Sequence, residues 1–139
     1  MQSPWLICVL VALSAAPTAG PDRLYDITIE TGMPHLEENL RYAIERTKQC
    51  LTRQDLDSVF PILHHSSLAG CKLQEQSADA ETIVYALICS GSTGTTGTAT
   101  WQIGDHAIRG TLDVKLGGKN MTFFQRVTAT VIGACPRVG

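Results

Sequence analysis

The residues best equipped for chemistry lie in one short stretch, His64-His65-Ser66-Ser67, with Cys71 just beyond it and His35 upstream. A histidine beside a serine is the pairing a hydrolase uses, the imidazole taking the hydroxyl proton. No Gly-x-Ser-x-Gly turn frames either serine here, and sequence neighbours rarely meet in the required geometry. The same histidines, with His35 and Cys71, offer metal-ligand chemistry. Adjacent side chains of a strand point apart, however, and no third ligand falls at i+3 or i+4. A solvated pair in a loop is the simpler reading. A hydrolase-like enzyme using His64 or His65 is the alternative.

Other constellations are thinner. Glu37-Glu38 and Asp55 with Asp57 supply carboxylates, but they suit a helix surface and a helix start better than a glycosidase pair facing a cleft. Gly91-x-x-Gly94-x-x-Gly97 has the look of a phosphate loop. The sequence after it reads as another strand, so no helix N-terminus waits for an anion. No cofactor and no metal are expected.

Cysteine usage says more. Of five cysteines, Cys8 sits in an apolar leader, leaving Cys50, Cys71, Cys89 and Cys135 with 20, 17 and 45 residues between them. Such gaps lack the close Cys-x-x-Cys pairs of a zinc site or a thiol-exchange centre. An even count in a small exported domain reads as two disulfides with three possible connectivities.

The compartment is read from the start of the chain. Trp5 to Leu13 is an unbroken apolar run, followed by the small residues Ser14, Ala15, Ala16, Thr18 and Ala19. This is a signal-peptide pattern over 1–19, leaving one domain over 20–139. After its removal no apolar run approaches the roughly 20 residues a membrane span needs. The chain carries 11 Lys/Arg against 13 Asp/Glu, a net charge of −2, with signs interspersed. No basic stripe exists for nucleic acid and no polybasic segment for an anionic membrane.

The elements that position these residues read mainly as strands. Tyr25, Ile27 and Ile29 alternate with polar neighbours, and Gly32 and Pro34 end that run. Leu36, Leu40 and Ile44 recur every four residues, which predicts a short helix over 36–45, with an extended run into Cys50. Thr52 followed by Asp55 predicts a capped helix over 53–59, closed by Phe60-Pro61. Residues 62–70 read as a loop or single turn, and Cys71 with Leu73 as a strand. Thr82–Cys89 is apolar on both faces, which predicts a central strand covered on both sides. Thr98–Ile103, His106–Leu116 and Met121–Ala134 alternate cleanly. Met121, Phe123, Val127, Ala129 and Val131 share one face of the last strand.

The expected fold is therefore mainly β. It is a single antiparallel curved sheet, or a small sandwich or open barrel, of about six strands, with one or two short helices in the first half. Cys71, Cys89 and Cys135 each share parity with an apolar set, so the disulfides are expected to be buried, as Cys50–Cys71 and Cys89–Cys135. A curled sheet forms a cup, and Tyr85, Trp101, Met121, Phe123 and Phe124 are candidates to line it, against the simpler reading that they fill a core.

With the cysteines placed, the chain resembles a bacterial exported family known as a domain of unknown function, number 3617. The pieces that carry the resemblance are Leu24-Tyr25-Asp26-Ile27-Thr28, Gly32-Met33-Pro34, Cys50-Leu51-Thr52 with Asp55-Leu56, and Cys71. They continue with Cys89, Thr95 to Thr100, the run from Gly110 to Val114, Met121-Thr122, and Ile132-Gly133-Ala134-Cys135. The resemblance spans nearly all of 20–139. Tyr25 stands where the family usually has Trp, and 35–49 looks more helical than is typical. It implies an exported, periplasmic or secreted, disulfide-bonded β domain, and it implies no activity. In such a protein the Asn120-Met121-Thr122 sequon is read as chance. The function expected is non-enzymatic: binding of an apolar small molecule in the cup, or of an envelope partner along a sheet edge.

Overall fold

The structure is a computed structural model, and it describes residues 23–33, 42–91, 94–117 and 121–136. Seven strands form one sheet: β1 Arg23–Gly32, β2 Tyr42–Leu51, β3 Cys71–Ala78, β4 Thr82–Cys89, β5 Thr96–Ile103, β6 Ala107–Leu116 and β7 Met121–Ala134. Every pairing is antiparallel, in the order β2-β1-β7-β6-β5-β4-β3. β3 to β7 follow one another as a meander. β1 then pairs beside β7, and β2 lies outside β1.

That order has one topological consequence. β2 and β3 are consecutive in the chain yet occupy opposite edges of the sheet. The connection between them must cross one face, and it does so as three short 3-10 turns, Arg53–Asp57, Pro61–His64 and Ser66–Leu68. This strap covers the face to which the apolar parity points. Ile27 and Ile29 of β1, Ile83, Tyr85 and Leu87 of β4, Trp101 of β5, Leu112 of β6 and Val127 of β7 are buried there, together with Leu56, Phe60 and Leu68 of the strap. Burying one such large side chain is worth about 1.5–3 kcal/mol, so three strap anchors are enough to hold a segment that lacks long helices.

Trp101 is the centre of that core. It is fully buried, its ring centroid lies 5.3 Å from that of Phe60, and its indole Nε1–H donates to the Leu56 carbonyl at 2.9 Å. Room for the indole comes from Gly110, which pairs opposite it on β6; a Cβ there would stand 2.8 Å from the ring.

Four expectations need correction. Residues 42–45 begin a strand, not the end of a helix, and the extended run expected into Cys50 continues it: β2 runs in unbroken register with β1, Ile29 opposite Glu45 and Ile27 opposite Thr47. The i, i+4 spacing at Ile44 misled because Ile44 is 63% exposed and belongs to no buried stripe; 34–41 lie outside the described residues. The strand count is thus seven, not six. The expected helix over 53–59 is a five-residue 3-10 turn, though its cap is as anticipated. The Asp55 carboxylate accepts from the Thr52 N–H at 2.8 Å and hydroxyl at 3.0 Å. β4 is covered on one face only, since Ile88 is 43% exposed and Val84 and Ala86 are half-buried.

The fourth correction concerns the disulfides. The bridges are Cys50–Cys135 and Cys71–Cys89, not Cys50–Cys71 and Cys89–Cys135. Parity identified the right faces but not the neighbours. The β3–β4 hairpin sets Cys71 directly opposite Cys89, with Cα atoms 3.9 Å apart. β1 brings the other two together, because Leu24 pairs with Cys50 on one side and with Gly133 on the other. Their Cα atoms lie 5.7 Å apart. The strap is therefore bracketed by a disulfide at each root.

Candidate functional site

The aromatic cup of the sequence reading is occupied by the protein's own strap. Tyr85, Trp101 and Phe123 are buried in the core and Met121 is half-buried. Phe124 points to the opposite face of the sheet. One buried polar side chain belongs to the same interior. Gln125, 4% exposed, accepts from the Ile62 N–H of the strap at 3.1 Å and donates to the Thr31 hydroxyl of β1 at 2.9 Å. It ties strap to sheet. The signal for it was legible: it is the one polar residue at an inward parity of β7, between Phe123 and Val127.

The histidines lie on the strap, exposed. His64 Nε2 is 3.1 Å from the Ser58 carbonyl, so that nitrogen carries the proton. His65 Nδ1 accepts from the Ser67 N–H at 3.1 Å and the Ser67 hydroxyl at 2.8 Å. This contact caps the last 3-10 turn. A nitrogen that accepts a backbone N–H is occupied in holding local structure. Asp55 serves the strap's first cap, and Asp57 is exposed beside it. His35, Glu37, Glu38, Asn120 and the 1–19 leader lie outside the described residues. Gly91 and Gly94 have φ of +95° and +70°, in the turn between β4 and β5, and no helix follows them. Among the described residues no three His, Cys, Asp or Glu side chains converge, and no helix is long and apolar enough to cross a membrane.

The outer face of the sheet carries the polar parity. A shallow cleft of about 370 Å³ opens there, with Thr96, Thr98, Asp113, Lys115, Thr122 and Phe124 along its lining. Phe124 is no free stacking platform. One side of its ring lies against Gly32, and the Arg126 guanidinium sits 4.6 Å above the ring centroid.

Two titrations are displaced by this geometry. The Asp79 carboxyl is held below its ordinary value by the backbone N–H groups of Glu81 and Thr82, each 2.8 Å away, and more weakly by Arg53. Burial pushes the Tyr85 phenol up, and the carboxylates of Glu75 and Asp57 add to the rise while Arg53 opposes it. The Asp79 arrangement closes the β3–β4 turn.

What the described residues leave open is an edge. β2 is ten residues long, pairs with β1 alone, and shows no register shift. From Ile44 to Gln49 it is exposed on both faces. The opposite edge, β3, is blunted: its ladder shifts between Glu75 and Ser77. A bulge twists an edge away from partners; β2 has none. An extended segment laid beside β2 would gain main-chain hydrogen bonds along its length.

Comparison with known proteins adds the following. The model of a family described as a protein of unknown function (DUF3617) matches residues 22–135. No curated protein and no solved structure matches the chain.

Proposed function

We propose that this chain, which belongs to the DUF3617 family, is an exported, non-enzymatic binding domain whose β2 edge takes up an extended segment of an envelope partner. The single observation that carries the reading is the regular outer edge of β2, which among the described residues pairs with β1 on one side only and is exposed on both faces from 44 to 49. The leader pattern over 1–19 and the two disulfides support export. The small-molecule reading has less support, because Leu56, Phe60 and Leu68 of the strap already fill the space in front of Trp101 and Tyr85. Support for a hydrolase is limited to the His65–Ser67 contact, which caps a turn.

The test is photo-crosslinking in the native host. A benzophenone side chain replaces Thr47 at the centre of β2, and in a control protein Gln102 on β5. The reading expects a discrete adduct from position 47, mapped by mass spectrometry to one short segment of one envelope protein, and none from position 102. Equal adducts from both positions, or none from 47, would overturn it.

A further inference from the structure

We infer that the segment taken up by β2 is acidic, with two carboxylates at alternate positions followed two residues later by an apolar side chain. This rests on the edge reading above and specifies its partner. The argument is one of parity. Successive side chains of a strand point to opposite faces, and the β1 register fixes which residues of β2 share a face. Ile44, Arg46 and Lys48 stand opposite Glu30, Thr28 and Asp26 and so lie together on the outer face. Glu45, Thr47 and Gln49 stand opposite Ile29, Ile27 and Tyr25 on the other. All six are exposed. The outer side of the free edge thus reads apolar, cationic, cationic, in steps of two. Arg46 has the neutral Thr28 directly opposite on β1, with Asp26 and Glu30 on its diagonals, and Lys48 faces Asp26. The open side adds a second row of cross-strand neighbours, where two adjacent cations favour carboxylates.

The same parity argues against a second copy. When two β2 strands pair antiparallel about an axis normal to the sheet, facing residues lie on the same face and share parity. Arg46 can then meet Tyr42, Ile44, Arg46, Lys48 or Cys50, and never Glu45. Arg46 on Arg46 or Lys48, Lys48 on Lys48 and Glu45 on Glu45 oppose like charges, and the remaining registers add no cross-strand charge pair, which disfavours the pair. The charges that keep the edge from closing on itself are the ones that select an acidic strand, so attraction and exclusion come from the same two side chains. Read N to C, an antiparallel partner carries acid-x-acid-x-apolar opposite Lys48, Arg46 and Ile44.

The test titrates the 15N-labelled, disulfide-intact domain with three synthetic heptapeptides, Thr-Glu-Thr-Glu-Thr-Val-Thr and its versions with Lys or Gln in place of both Glu. The amides of 42–51 are followed by NMR at low ionic strength. The expected result is that the Glu peptide perturbs these amides and binds about 5- to 30-fold tighter than the Lys peptide, as two cross-strand charge pairs imply. Arg46→Glu with Lys48→Glu, both exposed, should reverse the order. If Glu and Lys peptides perturb 42–51 equally, the acidic class is overturned while the edge remains the site. If no peptide perturbs 42–51, or the shifts lie elsewhere, both readings fall. A dimer in sedimentation that the double Glu variant abolishes would assign the edge to a second copy and overturn the inference.

Discussion

Removing either disulfide from this domain should cost stability in proportion to the loop it closes, and the two loops differ widely. Cys50–Cys135 closes a loop with a sequence separation of 85, and Cys71–Cys89 one of 18. The chain-entropy relation gives about 4.6 kcal/mol for the first and about 3.2 kcal/mol for the second. The perturbation is Cys50→Ala with Cys135→Ala, against Cys71→Ala with Cys89→Ala, so that no variant keeps an orphan thiol from a broken bridge. Urea unfolding at constant pH reads the free energies. The first variant should lose about 1.4 kcal/mol more than the second, and melt roughly 5 °C lower than it, at about 4 °C per kcal/mol for a domain of this size. In each variant the two remaining cysteines should stay unreactive toward a thiol reagent in denaturant, because they remain bonded to each other. Free thiols in either variant would refute the connectivity. Equal losses, or a larger loss from the short loop, would refute the view that these bridges act mainly by restricting the unfolded chain.

Other consequences follow from the core. Gln125→Leu leaves the half-buried Ile62 N–H and Thr31 hydroxyl without their partner, and the about 1–3 kcal/mol of a fully buried unpaired group is the upper bound for each. A net loss near 2 kcal/mol in urea unfolding is expected, partly recovered by adding Thr31→Val. Gly110→Ala drives a methyl into the Trp101 ring and should cost about 1–3 kcal/mol, with a shift in Trp fluorescence. Burial raises the Tyr85 pKa, so the folded state favours the neutral phenol. That stabilisation is complete below the ordinary Tyr value near pH 10 and is lost as pH rises through the higher folded value. Tyr85→Phe should therefore weaken the alkaline fall in stability above about pH 10, and an unchanged alkaline limb would contradict the assignment.

The parts of this fold that were legible in the sequence are those with period-two patterning against one buried face. β1, β3 and β5 to β7 follow from alternation, β4 from its apolar run, and the Thr52–Asp55 cap from two residues three apart. Illegible were features that depend on which strands become neighbours. From 44 to 49 β2 has no buried stripe because it is an edge strand, so no strand period marked it and a period-four spacing ending at Ile44 was read as a helix. The Cys50–Cys135 bridge is set by β1 inserting beside β7, an order that alternation does not encode, and Cys71–Cys89 by the register of the β3–β4 hairpin. The strap was read as a short helix over 53–59 and a loop or single turn over 62–70, and its path across the sheet was missed because its buried residues, Leu56, Phe60 and Leu68, follow neither strand nor helix period. For the candidate site the consequence is direct: aromatic residues expected around a cup turn out to be covered by a segment whose path depends on topology. Of the β2 edge, only 42–45 was read as helix, and its position at the rim of the sheet depends on the same topology.

Hydrogen exchange on the free domain tests the account most directly. In an antiparallel edge strand every second amide points away from its neighbour. Alternate amides across 42–51 should exchange at close to unprotected rates, while residues 124–130 of β7, paired on both sides by β1 and β6, stay protected throughout. Uniform protection along 42–51 would show that the β2 edge is already covered and would contradict its role as the binding surface.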